Sequence, residues 1–461
     1  MNDKLRIAHI SLPFYNGGGL VKYVKDIVNK QINDENIEYV CVFYTNNYNL
    51  IFNKPNVKYK KGNLSDLFEI NNFNPTTLFE GTRYPELDIE NKELEDVIIK
   101  KLNKMKINIV HFHTFHGLTS NLIKRIKENN IKIIYTAHDY QPICNRITFL
   151  DKNNKYCKSI ENCSICNSNA ISKNKLKIRY SPISNKLKTN NYIKSKVKNI
   201  ISNINRNKNK AIKTEDIRLN KVSNGIYKER AYSFVNNFNK YADKIIYSSY
   251  ITKNIFESKG ILKTKSELIP ISNQNLMKKI ENYQVKLDKE IIRFGYLGGD
   301  RKEKGYEILI RVFEKLFTNN ITNWKLFLLG AGSENIHIPN SIKENVIIKG
   351  YLEESLYDNF DVLIVPSIWA ETFNFVVAEG IANKKIIIAS NIVGSANLYK
   401  NSGVLTYDFN NKNGLYEMII PILIEKDKHY NIDIEKNKYY KYIDFNNHYQ
   451  SIVDLYFRLL N

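Results

Sequence analysis

What this 461-residue sequence lacks narrows its reading first. Nowhere do about 18 uncharged apolar residues run together, which excludes a membrane-spanning helix at this level. The opening stretch "MNDKLRIAHISLPFYNGGG" follows its charges with no long apolar run, so no secretory signal is expected and a cytoplasmic location is. Cysteine is scarce. The five thiols, Cys41, Cys144, Cys157, Cys163 and Cys166, argue against a disulfide framework in a reducing compartment. No short internal repeat and no long Gly/Ser linker is present. Acidic residues are in deficit, 47 Asp and Glu against 69 Lys and Arg, for a formal charge of +22.

What is present suits folded cores: 43% of residues are hydrophobic and 12% aromatic. The length predicts two or three domains. Short apolar runs alternate with helical patterns. "KLRIAHISL" reads as a strand and "LVKYVKDIVNKQI" as a helix, followed by "YVCVFYT", "INIVHFHT", "GLTSNLIKRIKEN", "IKIIYTAHD" and "ADKIIYSSYITKNIFESKG". A second series starts at Ile291 with "IIRFGYLGG", "YEILIRVFEKLF", "WKLFLLGAG", "NVIIKGYL", "DVLIVPS", a helix from about Phe375, and "KKIIIAS". Such alternation implies right-handed crossovers and parallel sheets covered on both faces. Running twice, it predicts an α/β chain of two Rossmann-like domains. The expected divisions are 1–275, carrying a cysteine loop and basic insertion at about 144–235, then 276–440, then a terminal helix at 441–461, either packed on the second domain or returning to the first.

Between residues 171 and 230 stand 17 Lys or Arg and 3 Asp or Glu, a net of +14. One reading is a solvated insertion. The other is contact with an anionic membrane surface, where each cation contributes about 1 kcal/mol. Peripheral association should be salt-sensitive, since exposed charges are screened over about 8 to 10 Å. Equal flotation with neutral and anionic vesicles at low salt would refute it.

Parallel open sheets bind ligands at the carboxyl ends of their strands. Those ends hold the unusual residues here. Gly17, Gly18 and Gly19 open the first helix, where backbone N–H groups can approach a ligand; this is not a G-x-G-x-x-G fingerprint, which discounts a dinucleotide redox cofactor. His111, His113, His116 and His138 cluster within 28 residues, so at least one active-site histidine is expected; zinc ligation is the weaker alternative, since strand alternation puts His111 and His113 on one face and does not place His138. Arg301, Lys302 and Lys304 stand at a predicted helix N-terminus, which favours an anion and, with the added cations, a phosphate. In "PSIWAETFNFVVAEG", Glu371 falls on a loop and Glu379 about one turn into a helix. Carboxylates beside a phosphate site would accept from vicinal hydroxyls. A phosphate between two polyols describes a nucleotide sugar.

These residues resemble the retaining glycosyltransferases of the GT-B fold, in the large E-x7-E family (family four, glycosyl transferases group 1). The resemblance covers most of the chain. Its strongest motif is "ETFNFVVAE", supported by "GGG", "IVHFHTFHG", "YTAHD", "ADKIIYSS", "FGYLG…KG" and "IIIASNIVG". It implies two domains facing across a cleft and a hexosyl transfer from a UDP- or GDP-linked donor to a saccharide or lipid-linked acceptor, in cell-envelope polysaccharide or glycolipid assembly. Catalytic roles would fall to His138, Glu371 and Lys304. Donor binding would fall to Gly17, Gly18, Gly19, Arg301, Lys304, Phe373, Asn374, Phe375 and Glu379. Transfer would retain anomeric configuration without a catalytic metal, by front-face attack, and trapping a covalent sugar adduct on an enzyme carboxylate would count against that route. Two positions depart from the pattern: Gly299 stands where many members have Arg, with Arg301 as a candidate replacement, and Asn374 stands where many have Gly.

Cys144, Cys157, Cys163 and Cys166 gather four thiols in 23 residues with one C-x2-C, a set that can close a tetrahedral zinc site. Free thiols and an iron–sulfur cluster are the alternatives. Two rival functions remain: a nucleotide-sugar epimerase on the same fold, or a basic zinc-containing nucleic-acid-binding protein. Glu371 and Glu379 would repel the phosphates of a nucleic acid, so none is expected as a partner.

Overall fold

A computed structural model of the chain describes residues 4–15, 17–49, 54–77, 79–153, 155–157, 160–189, 223–276, 282–350, 356–400, 403–425, 429–432 and 437–461. The middle of the basic segment, 190–222, thus lies outside the described residues. The chain divides into two compact units, one of Met1–Tyr135, Tyr140–Ile147 and Cys157–Lys244, the other of Thr136–Asp139, Thr148–Tyr156 and Ile245–Asn461. Among the described residues no helix is long and apolar enough to cross a membrane.

The first eight strands are β1 (Leu5–Ser11), β2 (Ile37–Thr45), β3 (Asn56–Lys61), β4 (Asp66–Asn71), β5 (Ile109–Phe112), β6 (Lys132–Ala137), β7 (Lys244–Tyr247) and β8 (Ser266–Leu268). They form one sheet in the order β3-β4-β2-β1-β5-β6-β7-β8. β3 and β4 pair antiparallel; β4, β2, β1, β5 and β6 run parallel, as do β7 and β8. β1 and β5 are buried on both faces and read as nearly continuous apolar runs, as parallel strands covered by helices should. The helix Gly19–Ile32 buries Val21, Tyr23, Val24, Ile27, Val28 and Gln31, a stripe at helical spacing.

The second unit holds β9 (Tyr283–Lys286), β10 (Ile292–Tyr296), β11 (Trp324–Leu329), β12 (Val346–Gly350), β13 (Val362–Val365), β14 (Ile386–Ser390), β15 (Val404–Tyr407) and β16 (His429–Ile432). β9 and β16 make a small ribbon, and the other six form a parallel sheet in the order β12-β11-β10-β13-β14-β15. Its core packs Phe294, Phe313 and Trp324 edge to face, with ring centroids 5.3 and 4.7 Å apart. The strand order reverses direction between β10 and β13. Connections leave these two strands toward opposite sides, and the gap at their carboxyl ends is where such sheets take a ligand.

The helix Phe445–Leu460 also belongs to the second unit. Its Arg458 pairs with Glu267 at 3.1 Å, and the hydroxyl of Ser272 donates to the carbonyl of Ile443 at 2.6 Å.

Candidate active site

Both strands at this switch point lead into the candidate side chains. After β10 the chain turns through a short 3-10 segment, Lys302–Lys304, before the helix Tyr306–Thr318. Gly305 makes that turn at φ +82°, and a Cβ there would stand 1.8 Å from the carbonyl oxygen of Pro366. Only glycine permits so close an approach. The turn directs Lys304 inward: its Nζ donates to Glu371 Oε2 at 2.6 Å and lies 5.6 Å from the Trp369 ring centroid.

After β13, "PSIWAETFN" forms the loop that carries Glu371, a residue 3% exposed. Its backbone N–H donates to Ile392 and its carbonyl accepts from Gly394, at 3.1 and 3.0 Å. Glu371 Oε1 accepts from the Ser367 hydroxyl and, at 3.0 Å, from the Asn374 amide. A buried carboxylate is tolerable when its lone pairs are satisfied in this way. Lys304, Ser367 and Asn374 therefore aim the carboxylate as well as stabilise it.

Asn374 adopts φ +85°, a backbone region glycine enters freely and asparagine tolerates better than most residues. Its side-chain oxygen caps the helix Phe375–Ala382 by accepting from Val376 N at 3.0 Å while its amide reaches Glu371. Asn374 thus supplies a cap and a hydrogen bond to the carboxylate, neither of which a glycine side chain could make. Gly299 has its own steric reason: at φ +61°, a Cβ would stand 2.2 Å from the carbonyl oxygen of Ala331, which leaves no room for arginine. Arg301 lies on the surface, with Nε donating to Glu303 Oε1 at 2.6 Å.

One turn into the helix, half-buried Glu379 accepts from the Tyr357 hydroxyl at 2.8 Å. Burial and the neighbouring Glu379 charge push the Tyr357 phenol well above its ordinary range, so it remains a donor. Phe373 is buried and its ring meets Phe375 at 70°; its carbonyl accepts from Ser395 N and Oγ at 2.8 and 2.6 Å. A cavity of about 40 Å³ beside Lys304 is lined by Gly298, Ser367 and Asn374 among others. A larger one of about 380 Å³ is lined by Arg311, Lys315, Phe409 and Tyr416, but not by Lys304, Glu371 or Glu379.

His138 belongs to the same unit as these residues. Its carbonyl accepts from the Thr372 hydroxyl at 2.9 Å, next to Glu371, and the Thr372 carbonyl in turn accepts from Ser248 at 2.9 Å. Burial, and secondarily the nearby His448, pull the half-buried His138 imidazole down to about 3. It is a neutral hydrogen-bonding group over the working pH range.

The other expected residues lie in the first unit. Gly17, Gly18 and Gly19 form an exposed turn into the helix Gly19–Ile32, and a Cβ at Gly17 or Gly18 would meet nothing within 4 Å. His116 is buried, bonded to the Thr45 hydroxyl at 3.0 Å and to the Tyr180 hydroxyl at 3.0 Å. Cys144, Cys157, Cys163 and Cys166 are half-buried. Burial, then the charges of Cys144, Cys157 and Cys166, push the Cys163 thiol up to about 12. Among the described residues, however, the one group of three or more metal-type ligands with all atoms within 4.8 Å is His9, His111 and His113.

Sequence reasoning missed Ser367, Tyr357 and Trp369. Ser367 was the most accessible of these, because it ends the strand-like "DVLIVPS". Tyr357 carried no such signal.

Residues 289–424 match the family model described as Glycosyl transferases group 1. The chain is similar in structure to sucrose-phosphate synthase from Thermosynechococcus elongatus, at 15% identity over 99% of each chain with a TM-score of 0.58. It is also similar to HepE of Anabaena in complex with UDP-glucose, at 12% identity over 98% of this chain and 99% of that one, TM-score 0.54. A third similarity is to the UDP-forming α,α-trehalose-phosphate synthase of Burkholderia xenovorans in complex with glucose-6-phosphate, at 11% identity over 99% of each chain, TM-score 0.54. No curated protein sequence matches this one. Likeness at these identities establishes the fold: two Rossmann-like domains of the GT-B class.

Proposed function

We propose that the protein is a retaining glycosyltransferase that moves a hexose from a UDP- or GDP-linked donor to a saccharide or lipid-linked acceptor, in cell-envelope polysaccharide or glycolipid assembly. The observation that carries this reading is the Lys304–Glu371 pair at the switch point of the second sheet, with Glu379 one turn further on. The family match over 289–424 and the likeness to proteins that bind UDP-glucose or form UDP support the donor class.

The chemistry follows from charge. A diphosphate arriving at Lys304 competes with Glu371 for the ammonium group, which carries three N–H donors and can serve both anions. Glu371, held by Ser367 and Asn374, then presents acceptor capacity to the donor sugar's hydroxyls. Glu379 accepts from the ribose. As the glycosidic bond breaks, negative charge develops on the leaving phosphate, and Lys304 stabilises it in place. The acceptor's proton passes to that leaving oxygen, so neutral His138 orients sugar rather than transferring a proton. The Cys144, Cys157, Cys163 and Cys166 set is assigned to structural zinc on its four thiols in 23 residues with one C-x2-C. Peripheral association through the basic segment belongs to the same proposal.

The test is a thermal-shift screen against UDP, GDP, ADP and their sugars, with Glu379→Ala alongside. One nucleotide series should raise Tm in the native protein, and the shift should largely disappear in the variant. Absence of any shift in folded protein would reject the donor site.

A further inference from the structure

The first unit buries three imidazoles together, in a place where a sheet and its covering helix ordinarily bring aliphatic side chains. β1 and β5 pair with His9 opposite His111. His113, two residues further on, shares the face of His111, because side chains alternate along an extended chain. All three are buried, His9 and His111 fully. One ligand nitrogen from each lies within 4.8 Å of the other two. His9 Nδ1 stands 2.9 Å from His113 Nε2, and the ring centroids of His111 and His113 are 4.2 Å apart. The helix Gly19–Ile32 closes the group: Gln31 Oε1 lies 2.7 Å from His9 Nε2, and the Tyr23 ring meets His113 edge to face at 5.7 Å.

Protonation follows from the Gln31 contact. An amide oxygen only accepts, so His9 carries its proton on Nε2 and turns the lone pair of Nδ1 toward His113. A ligating histidine is held in this way, with the far nitrogen donating to an oxygen and the near one left for the ion.

We propose that His9, His111 and His113 form a binding site for a divalent first-row transition ion, best probed with zinc, which fastens the first helix to the paired strands β1 and β5. Three neutral imidazoles are a ligand set that such ions accept, with a fourth position left to water. Two nitrogens each about 2.0–2.1 Å from a tetrahedral ion stand roughly 3.3 Å apart. The His9–His113 contact therefore needs to open by only a few tenths of an ångström. The proton between these two nitrogens moves to the other nitrogen of His113 when the ion enters. The site is independent of the four thiols and does not rest on the transferase reading.

The experiment uses the full chain without a polyhistidine tag, purified without chelator, as native protein and as Cys163→Ser/Cys166→Ser, which dismantles the thiol set. The double-serine protein should retain one zinc per chain. Titrated with cobalt, it should show visible d–d absorption without thiolate charge transfer, and zinc should raise its Tm. Gln31→Leu keeps all three ligands and should weaken zinc binding about 10- to 100-fold, as loss of an outer hydrogen bond does. Adding His113→Gln should abolish binding. If the double-serine protein folds yet shows no nitrogen-only cobalt spectrum, the proposal is overturned and the group is a hydrogen-bonded imidazole network; if that variant does not fold, native protein that binds no ion beyond the one held by the thiols overturns it equally. Unchanged zinc affinity in Gln31→Leu overturns it equally.

Discussion

Lys304→Ala is expected to lower kcat for sugar transfer by at least 10²- to 10³-fold, the effect of removing one preorganised donor from a developing anion. It should also destabilise the fold. Glu371 is 3% exposed and loses its ion pair, while Ser367 and Asn374 still donate to it. Breaking a buried pair by deleting one partner costs about 3–5 kcal/mol, and the two remaining donors should reduce that to roughly 2 kcal/mol. The two effects are separable. In Lys304→Ala/Glu371→Gln the unpaired charge is gone, so Tm should recover toward the native value while activity stays lost. A Lys304→Ala enzyme within tenfold of native kcat would remove Lys304 from the chemistry. A double variant no more stable than Lys304→Ala would show that the pair is not what holds the loop.

The second large effect is on stability in acid. His116 and His448 are buried, and burial pulls their imidazoles down to about 4 and about 3. Both stay neutral in the folded protein, whereas in the unfolded chain they take up protons below about pH 6.5. The unfolded state then binds more protons, so stability falls as pH drops from about 6.5 toward 4, by up to about 1.4 kcal/mol per pH unit for each histidine. Between pH 7.5 and pH 5 the two together should remove roughly 4 kcal/mol, before most carboxylates titrate. Half-buried His138 adds to the loss in the same direction. Urea unfolding at the two pH values measures it, and His116→Gln should flatten the dependence. Equal stability at pH 7.5 and 5 in the native protein would rule it out.

Much of the candidate site was legible along the chain because its residues sit where strands end. The alternation of apolar runs with helical patterns marks the ends of β10 and β13, and the charged or glycine residues just beyond them stand out against a largely aliphatic background. The spacing of Glu371 and Glu379 places one on a loop and the other on a helix, and the structure has them there. The exchange of glycine for Asn374 was visible but not interpretable, since its meaning depends on a φ of +85° and on the position of the Glu371 carboxylate. For Gly299, the obstacle to arginine is the carbonyl of Ala331, which belongs to the turn after a neighbouring strand.

By itself, then, the sequence determined the α/β class, the two series of parallel strands and the local geometry at their ends, because periodicity and turn chemistry are short-range properties of a chain. Only the tertiary structure decided which ends meet. Lys304 and Glu371 are 67 residues apart, and His9 and His113 are 104 apart. Each pair is joined by the order of strands in a sheet, where β10 lies beside β13 and β1 beside β5. Strand order comes from the packing of whole elements against one another, so the meeting of Lys304 with Glu371, or of His9 with the neighbouring His111 and His113, leaves no local pattern to read.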